Sequence, residues 1–285
     1  MSKSGYYSHK CNKDSEKTFI EKEVINCFEK NNGNYGRIRI KKALEEKDVF
    51  VSEAKISRIL KENELVAKVG RKRKLRKNKP TDEQYLSENL VKDKFEETTP
   101  NVLWCTDLSE MQCKSHRIYI SAIIDVASRK IVSAMVEKHS RQELVQETIK
   151  MACCQTKIPD GAIFHSDRGC QYTAKKTKEL LEHYGFRISM SRPGTPSDNQ
   201  PIESFWKTLK TEITDIRHLS YEEAKQEILS YIYLYYNSER LHSGIGYKTP
   251  NSVWIKNSLF YLSEILDKFG KGSFAHAKPI FTPNA

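Results

Sequence analysis

Two acidic residues stand where carboxylates can carry out phosphate chemistry. Asp167 ends the apolar run AIFHS, and Glu203 lies within SDNQPIESFWKTLK, with 35 residues between the two acids. Upstream, Asp107 ends or nearly ends the apolar stretch LWCTDL. Sites in open α/β sheets form at the carboxyl ends of strands, so Asp107 and Asp167 can share a site if their strands are neighbours. Aspartate also ends strands simply as a turn-former, and the sequence leaves that reading open.

The residues around Glu203 predict a helix with Asp198 as its N-cap and Pro201 in its first turn. At about 100° per residue, Lys207 and Lys210 fall within about 40° of Glu203. The apolar residues of this helix gather on another side: Ile202, Phe205, Trp206, Leu209 and Ile213. Glu203 therefore shares its side of the helix with two lysines.

This arrangement has two explanations. Glu203 and Lys207 are four residues apart, as in an ordinary salt-bridged helix surface. Alternatively, Glu203 is a metal ligand and the two lysines beside it bind phosphate. This second explanation also gives a reason for Glu203 to meet an aspartate at the end of a strand. The other acid of the helix, Glu212, lies about 180° from Glu203 and cannot meet the same ligand.

The predicted donor set indicates the kind of metal. Asp107, Asp167 and Glu203 offer hard oxygen ligands without a Cys or His cage, which favours magnesium or manganese over zinc. Two such ions can activate an attacking water or hydroxyl and stabilise the leaving oxygen of an in-line phosphoryl transfer. Carboxylates brought together raise one another's pKa, so metal binding should weaken as the pH falls. The sequence predicts two Mg²⁺ ions, with Mn²⁺ as a substitute.

Composition indicates a nucleic-acid partner. The chain has 285 residues and a formal net charge of +11, and the stretch from Lys68 to Lys79 contains eight Lys or Arg and no acid. A block this dense favours a polyanionic phosphate partner, although a solvated linker gives the same pattern. The basic residues predicted to contact DNA there are Arg71, Lys72, Arg73, Lys74 and Arg76. With seven cysteines, no CxxC pair and no long apolar run, we expect a cytoplasmic protein with reduced thiols and no membrane partner.

Helical patterns precede the basic block. Apolar residues recur at helical spacing over 14–31, NNGNYG breaks that pattern, and a second helix is expected from about Arg37 to Lys47. Ser52 is the expected N-cap of a third helix, with Ile56, Ile59 and Leu60 inward. Its polar side carries Lys55, Arg58 and Lys61, which suits a helix-turn-helix module that places its second helix in a DNA groove. A small helical bundle without DNA-binding activity shows the same periodicity.

From about Asn101 the sequence pattern changes from helical to strand-like. Three short β-rich runs, at 103–108, 117–125 and 130–136, precede helix and strand patterns that alternate to 190. Another helix is expected at about 221–236, with Tyr235 among its inward residues. This order predicts an α/β fold: a ribonuclease-H-like mixed sheet with flanking helices, preceded by an all-α helix-turn-helix region.

Five ordered motifs resemble a known family. WCTDLSEM, YISAIIDVASRKIV, FHSDRGCQYT, SMSRPGTPSDNQPIESFWKTLKTE and YIYLYYNSERLHSGIGYKTP together resemble the second-frame catalytic proteins of IS-three family insertion sequences. These are acidic-triad transposases related to retroviral integrases, and the upstream helical segment resembles their helix-turn-helix. The resemblance implies a catalytic triad of Asp107, Asp167 and Glu203. Arg240, within the last motif, is also predicted to contact DNA, while the roles of Asp125, Asn237 and His242 stay open.

The resemblance also implies an organisation and a set of partners. We expect a DNA-binding region at 1–80 ending in a basic linker, an integrase-like catalytic domain at 97–255 and a tail at 256–285. The implied function is cleavage at the element ends and strand transfer through a 3′ hydroxyl, by a homo-oligomer that binds terminal repeats and target DNA. A fused or separate first-frame protein and association with the bacterial nucleoid are expected too. A non-catalytic regulatory copy and a nuclease without strand transfer are the alternatives.

Overall fold

The computed structural model describes residues 18–68, 87–91, 95, 99–192 and 195–255. Three helices come first: α1 over 18–30, α2 over Arg37–Glu45 and α3 over Glu53–Glu62. The predicted cap of α3 is confirmed, because the Ser52 side chain accepts a hydrogen bond from the backbone N–H of Lys55 at 3.3 Å. The apolar sides of the three helices form one core with Ile56, Ile59 and Leu60 facing inward, as predicted.

Within the described residues, five strands form a single mixed sheet of order β3-β2-β1-β4-β5. Their bounds are β1 Leu103–Gln112, β2 Arg117–Asp125, β3 Ile131–Glu137, β4 Ile163–Ser166 and β5 Arg187–Met190. The pairs β1·β2 and β2·β3 are antiparallel, whereas β1·β4 and β4·β5 are parallel. The predicted α/β mixed sheet is therefore confirmed, and β1 lies at its centre.

Helices cover both faces of this sheet. They are α4 Gln142–Gln155, α5 Cys170–Thr173, α6 Lys175–His183, α7 Gln200–Glu212, α8 Tyr221–Ser230 and α9 over 250–255. Side chains alternate along β1, so that Leu103 and Cys105 join the core under α7 and α8, whereas Trp104 joins the core under α4 and α6. By the same alternation, Asp107 lies on the α7 side. No helix in the described ranges has both the length and the apolar character needed to span a bilayer.

The segment after α8 departs from the predicted helix. Residues Tyr231–Tyr236 form a π-helical stretch, whose wider turn shifts the phase of the side chains that follow. Tyr236 is consequently buried at 2% exposure, while Tyr235, the residue expected to face inward, is only partly buried. The core therefore receives a different tyrosine from the one that regular helical spacing predicts.

Glu212, at the end of α7, joins the N-terminal helices to the sheet region. Its carboxylate is buried and accepts hydrogen bonds from the Arg240 guanidinium at 2.6 and 2.7 Å and from the Tyr231 hydroxyl at 2.9 Å. Arg39 of α2 lies 3.7 Å from the same carboxylate. The backbone carbonyl of Glu212 accepts a hydrogen bond from the Lys68 ammonium group at 3.2 Å. One acidic residue thus connects four segments that are distant in sequence.

Neutralising Glu212 is expected to destabilise the protein strongly. In Glu212→Gln the Arg240 guanidinium loses its buried counter-charge, and we expect the free energy of unfolding to fall by on the order of 3 kcal/mol. Urea unfolding followed by circular dichroism measures this quantity. The matched control is Glu110→Gln, which breaks an exposed pair with Arg117 and should cost less than about 1 kcal/mol. Equal, small losses in both variants would contradict a buried charge network at Glu212.

Candidate active site

Asp107 lies inside β1, so the expectation that it ends its strand is wrong. β1 continues to Gln112 because β2 pairs with it from Trp104 to Gln112. The parallel partner β4, by contrast, pairs with β1 only as far as Cys105 opposite His165. Continuing that register by two residues brings Asp107 opposite Asp167, which follows β4 directly. The carboxyl end of the parallel pairing, rather than the end of β1, thus places these two aspartates side by side.

Glu203 lies in the first turn of α7 on the solvent side, and Lys207 and Lys210 are exposed on the same helix. The predicted apolar face is confirmed, since the side chains that α7 buries include Ile202, Phe205, Trp206 and Leu209. Glu212 is buried away from Glu203, also as predicted. The helix therefore presents Glu203 to the solvent.

The prediction that Asp198 caps α7 is wrong. A 3₁₀ turn over Pro196–Asn199 precedes the helix, and Asp198 within that turn is fully buried. Its carboxylate instead accepts hydrogen bonds from the backbone and guanidinium of Arg192 at 2.7 to 2.9 Å and from the Asn89 amide at 2.9 Å. Arginine offers a charged, two-pronged donor that a helix N-terminus cannot match. Asp198 thereby anchors the connection between β5 and α7.

Two contacts from α7 hold the segment around Asp107. The indole N–H of Trp206 donates to Oδ2 of Asp107 at 3.1 Å. The Asn199 amide, at the start of the helix, donates to the carbonyl of Thr106 at 2.9 Å. The Thr106 hydroxyl in turn contacts the buried Tyr172 hydroxyl at 3.2 Å, on the other side of the sheet. These bonds tie the helix that bears Glu203 to the strand that bears Asp107.

A tight turn presents Asp167. Its Oδ1 accepts a hydrogen bond from the backbone N–H of Gly169 at 2.9 Å, and a Cβ at Gly169 would stand only 3.0 Å from the same oxygen. A side chain there would crowd the carboxylate, which would have to shift by a few tenths of an ångström. Behind the turn, buried His165 bridges the hydroxyls of Ser189 and Ser191, which locks the end of β4 to β5. Burial lowers the pKa of His165 to about 4, so this histidine is neutral near pH 7.

The electrostatics show that Asp107 senses the charges of Asp167 and Glu203. Burial raises the pKa of Asp107 from its usual 3.8 to about 8, and the charges of Asp167 and Glu203 act in the same direction. Hydrogen bonds from Trp206 and from the backbone of Leu108 oppose this rise in the pKa. Partial desolvation also raises the pKa of Asp167, against the bond from Gly169. Without a counter-ion, the site therefore favours a protonated Asp107.

The donor set fits a hard divalent cation by its chemistry. All three candidate ligands are carboxylates, and a nearby cation would relieve the repulsion that helps to raise the pKa of Asp107. In the part of the chain that the structure describes, no three His, Cys, Asp or Glu side chains are already gathered closely enough to hold a metal ion. Like-charged carboxylates stand apart in the absence of a cation, so we expect the ligand set to close as the metal binds.

The other predicted contact residues fall into three groups. On α3, Arg58 and Lys61 are exposed and Lys55 is partly exposed, so the side chains of this helix are open to a partner. The predicted residues of the basic block, Arg71, Lys72, Arg73, Lys74 and Arg76, lie outside the described residues, as does the tail at 256–285. The prediction for Arg240 is corrected, because its side chain is 5% exposed and bound to Glu212. Arg240 is therefore not a surface contact for DNA.

The three residues of open role have structural partners. Buried Asp125 accepts hydrogen bonds from the backbone N–H groups of Asn101 and Ser128, each at 2.8 Å, and so closes the turn after β2. The Asn237 amide brackets Ile131 at the start of β3, donating to its carbonyl and accepting from its N–H, both at 2.9 Å. His242 accepts a hydrogen bond from the backbone N–H of Gly244 within a 3₁₀ turn.

The residues that hold the carboxylates in place are not identified from the sequence. Helical spacing assigns Trp206 only to the apolar face of its helix, and it gives neither Asn199 nor Gly169 a role. A signal exists for Trp206, because a buried indole N–H usually finds an acceptor, and Trp206 lies only three residues after Glu203. No comparable local signal identifies Asn199, whose acceptor is 93 residues away in the sequence.

Comparison with known proteins agrees with this architecture. Two integrase core domain profiles match residues 97–196 and 184–250, and an HTH-like domain profile matches residues 14–73. The chain is 34% identical to the transposase for insertion sequence element IS904 of Lactococcus lactis, an alignment that covers 85% of this chain and 96% of the relative. It is 32% identical to an uncharacterised 31 kDa protein of insertion element IS600 from Shigella sonnei, with 88% and 93% covered.

A further relative is the transposase InsF for insertion sequence IS3A of Escherichia coli, which is 31% identical over 60% of each chain. An integrase core preceded by an HTH-like domain defines a class of DNA-recombining proteins. The chain belongs to the insertion-sequence transposases of the IS3 type, as the five motifs indicate. Membership of this family implies a polynucleotidyl transferase.

Removing the charge of Asp107 is expected to stabilise the metal-free protein at alkaline pH. Because folding raises this pKa, the group contributes stability that is fully present below its usual pKa of 3.8 and is lost as the pH rises through about 8. Asp107→Asn removes that loss, and we expect its free energy of unfolding to exceed that of the wild type by about 1 to 3 kcal/mol near pH 9.

Urea unfolding in the presence of a chelator tests this expectation. The difference between Asp107→Asn and the wild type should grow steadily between about pH 4 and about pH 8. The matched control is Asp160→Asn, which alters an exposed aspartate before β4 and should show no such trend. A stability difference that is independent of pH would mean that folding does not raise the pKa of Asp107.

Proposed function

We propose that Asp107, Asp167 and Glu203 form the catalytic triad of a metal-dependent transposase that cuts one strand at each element end and joins it to target DNA. The proposal is supported by the register that brings Asp107 of β1 opposite Asp167 at the end of β4. It is further supported by the pKa of Asp107, which burial raises to about 8 and to which the charges of Asp167 and of Glu203 on α7 contribute. Two Mg²⁺ ions, or Mn²⁺ in their place, would supply Lewis-acid stabilisation of the attacking and leaving oxygens.

The residues of the chain have separate tasks in this reaction. Asp107 and Asp167 would hold both cations between them, and Glu203 would complete the ligand set of one. In the first step a water oxygen bonds to phosphorus while the bond from phosphorus to the 3′ oxygen breaks, which leaves a 3′ hydroxyl on the element. In the second step that hydroxyl attacks a target phosphodiester and displaces another 3′ oxygen. Asp167 stays oriented throughout by the backbone N–H of Gly169.

Basic side chains would position the DNA. Lys207 and Lys210 follow Glu203 on α7 and would bind phosphates beside the reacting one, which fixes register without reading sequence. The helix α3 would lie in a groove of the element end, with Arg58 and Lys61 exposed towards it. The basic block that contains Arg71–Lys74 would add sequence-independent attraction. Joining two ends at once would require at least two copies of the chain, together with any first-frame partner.

The central test compares Asp167→Asn with Asp160→Asn on labelled duplex that carries the DNA flanking this gene. Both variants change Asp to Asn, but Asp160 is exposed before β4 and lies outside the triad. We expect Asp167→Asn to lose nicking and joining by on the order of a thousandfold, since metal-assisted charge stabilisation is worth several kcal/mol. DNA binding should persist in both variants, and Asp160→Asn should match the wild type.

The products separate the alternatives. Joined product that depends on Asp167 and on Mg²⁺ or Mn²⁺ would support transposition by the triad. Nicking without joining would favour a nuclease, and binding without either reaction would favour a regulatory copy or a missing first-frame partner. Repeating the assay with that partner fused to the chain would decide between the last two possibilities. Unchanged activity in Asp167→Asn would exclude the proposed triad.

The contribution of α3 to DNA binding can be measured independently of catalysis. We expect Arg58→Ala and Lys61→Ala each to weaken binding to the element end. For each phosphate that is no longer bound, the dependence of log affinity on log salt should fall by about 1. Fluorescence anisotropy at several salt concentrations measures both quantities. Lys150→Ala, at an exposed position of α4, is the control for general charge loss, and equal effects of all three substitutions would argue against a specific role for α3.

A further inference from the structure

The Trp206 side chain connects the helix that bears Glu203 to the carboxylate of Asp107. Its ring is 4% exposed and packs against Phe205, with ring centroids 4.9 Å apart. Its indole Nε1 lies 3.1 Å from Oδ2 of Asp107. The buried ring cannot move far, so the direction of its N–H is fixed by the packing of α7 on the sheet.

The chemistry of this bond suits a carboxylate that must also bind a cation. An indole N–H only donates, and each carboxylate oxygen can accept at two positions. The bond occupies one position on Oδ2, and the backbone of Leu108 also donates to the carboxylate, so that acceptor positions remain for a metal ion. It also restrains the rotation of the Asp107 side chain, which would otherwise lose conformational freedom when a cation binds.

We infer that Trp206 is a positioning residue for the metal site, because its indole N–H orients the Asp107 carboxylate for a divalent ion shared with Asp167 and Glu203. This inference rests on the proposed function for the identity of the ligands. Glu203 and Trp206 are three residues apart on one helix, so any displacement of α7 would move one ligand and release another. The site would then bind metal only when α7 is docked on β1.

A purely structural role of the Trp206 ring is the alternative, and the sequence offers a control for it. Trp104 on β1 is also fully buried, but within the described residues its indole N–H has no hydrogen-bond partner. Replacing either tryptophan by 3-benzothienylalanine exchanges the N–H for sulfur and preserves the shape of the side chain. At Trp206 this exchange removes the donor to Asp107, whereas at Trp104 it removes no hydrogen bond.

The experiment measures Mn²⁺ binding by calorimetry on the full chain without DNA, and then the Mn²⁺ concentration that gives half-maximal nicking. We expect the isostere at Trp206 to weaken Mn²⁺ affinity by about 10- to 100-fold, as is typical when the hydrogen-bond partner of a metal ligand is removed. Nicking should recover at saturating Mn²⁺. The isostere at Trp104 should bind Mn²⁺ as the wild type does, and both variants should unfold at wild-type temperature.

Three results would overturn the inference. The first is an unchanged Mn²⁺ affinity in the Trp206 isostere, and the second is no Mn²⁺ binding in any form of the protein. The third is an indole N–H resonance of Trp206 that does not shift in Asp107→Asn, which would mean that the bond is not made in solution. Conversely, Mn²⁺ affinity that depends on the Trp206 N–H in a chain that neither nicks nor joins DNA, even when fused to its first-frame partner, would uphold this inference and refute the proposed function.

Discussion

The burial of Asp107, with the charges of Asp167 and Glu203 nearby, is the constraint on which the proposed site depends. In the proposed function Asp107, Asp167 and Glu203 would share a cation, yet the burial of Asp107 and, secondarily, the other two charges raise the pKa of Asp107 to about 8. No local structure gathers such groups spontaneously, because each would gain by moving into water. The energy that holds them comes from the packing and hydrogen bonding of the elements on which they stand.

The sheet supplies most of that energy. β1 is central, paired on one side with β2 from Trp104 to Gln112 and on the other with β4. Apolar side chains of β1 enter separate cores on the two faces of the sheet, so the strand cannot shift without disrupting both. The short parallel pairing with β4 then fixes Asp167 relative to Asp107. A one-residue change of this register would place one aspartate on the wrong face of the sheet.

Features with local causes could be predicted from the sequence, whereas features with distant causes could not. The solvent side of α7, with Glu203, follows from helical periodicity alone, as does the inward face of α3. The placement of Asp107 within its strand depends on β2, and the burial of Asp198 depends on Arg192 and Asn89. The prediction for Arg240 fails for the same reason, because the acid that binds it lies 28 residues away. The charge of a residue predicts a role at the protein surface only when no oppositely charged residue binds it in the interior.

Three side chains of α7 have different surroundings on different sides of the helix. Glu203 faces the solvent near its start, Trp206 bonds to Asp107 beneath it, and Glu212 at its end binds Arg39 of the N-terminal helices. These three side chains point in different directions because they are three and six residues apart on a helix. Since α7 is held at both ends, by Asn199 at the sheet and by Glu212 at α2, the position of Glu203 depends on both contacts. The same helix therefore contacts the N-terminal helices through Glu212 and carries Glu203 of the proposed acidic site.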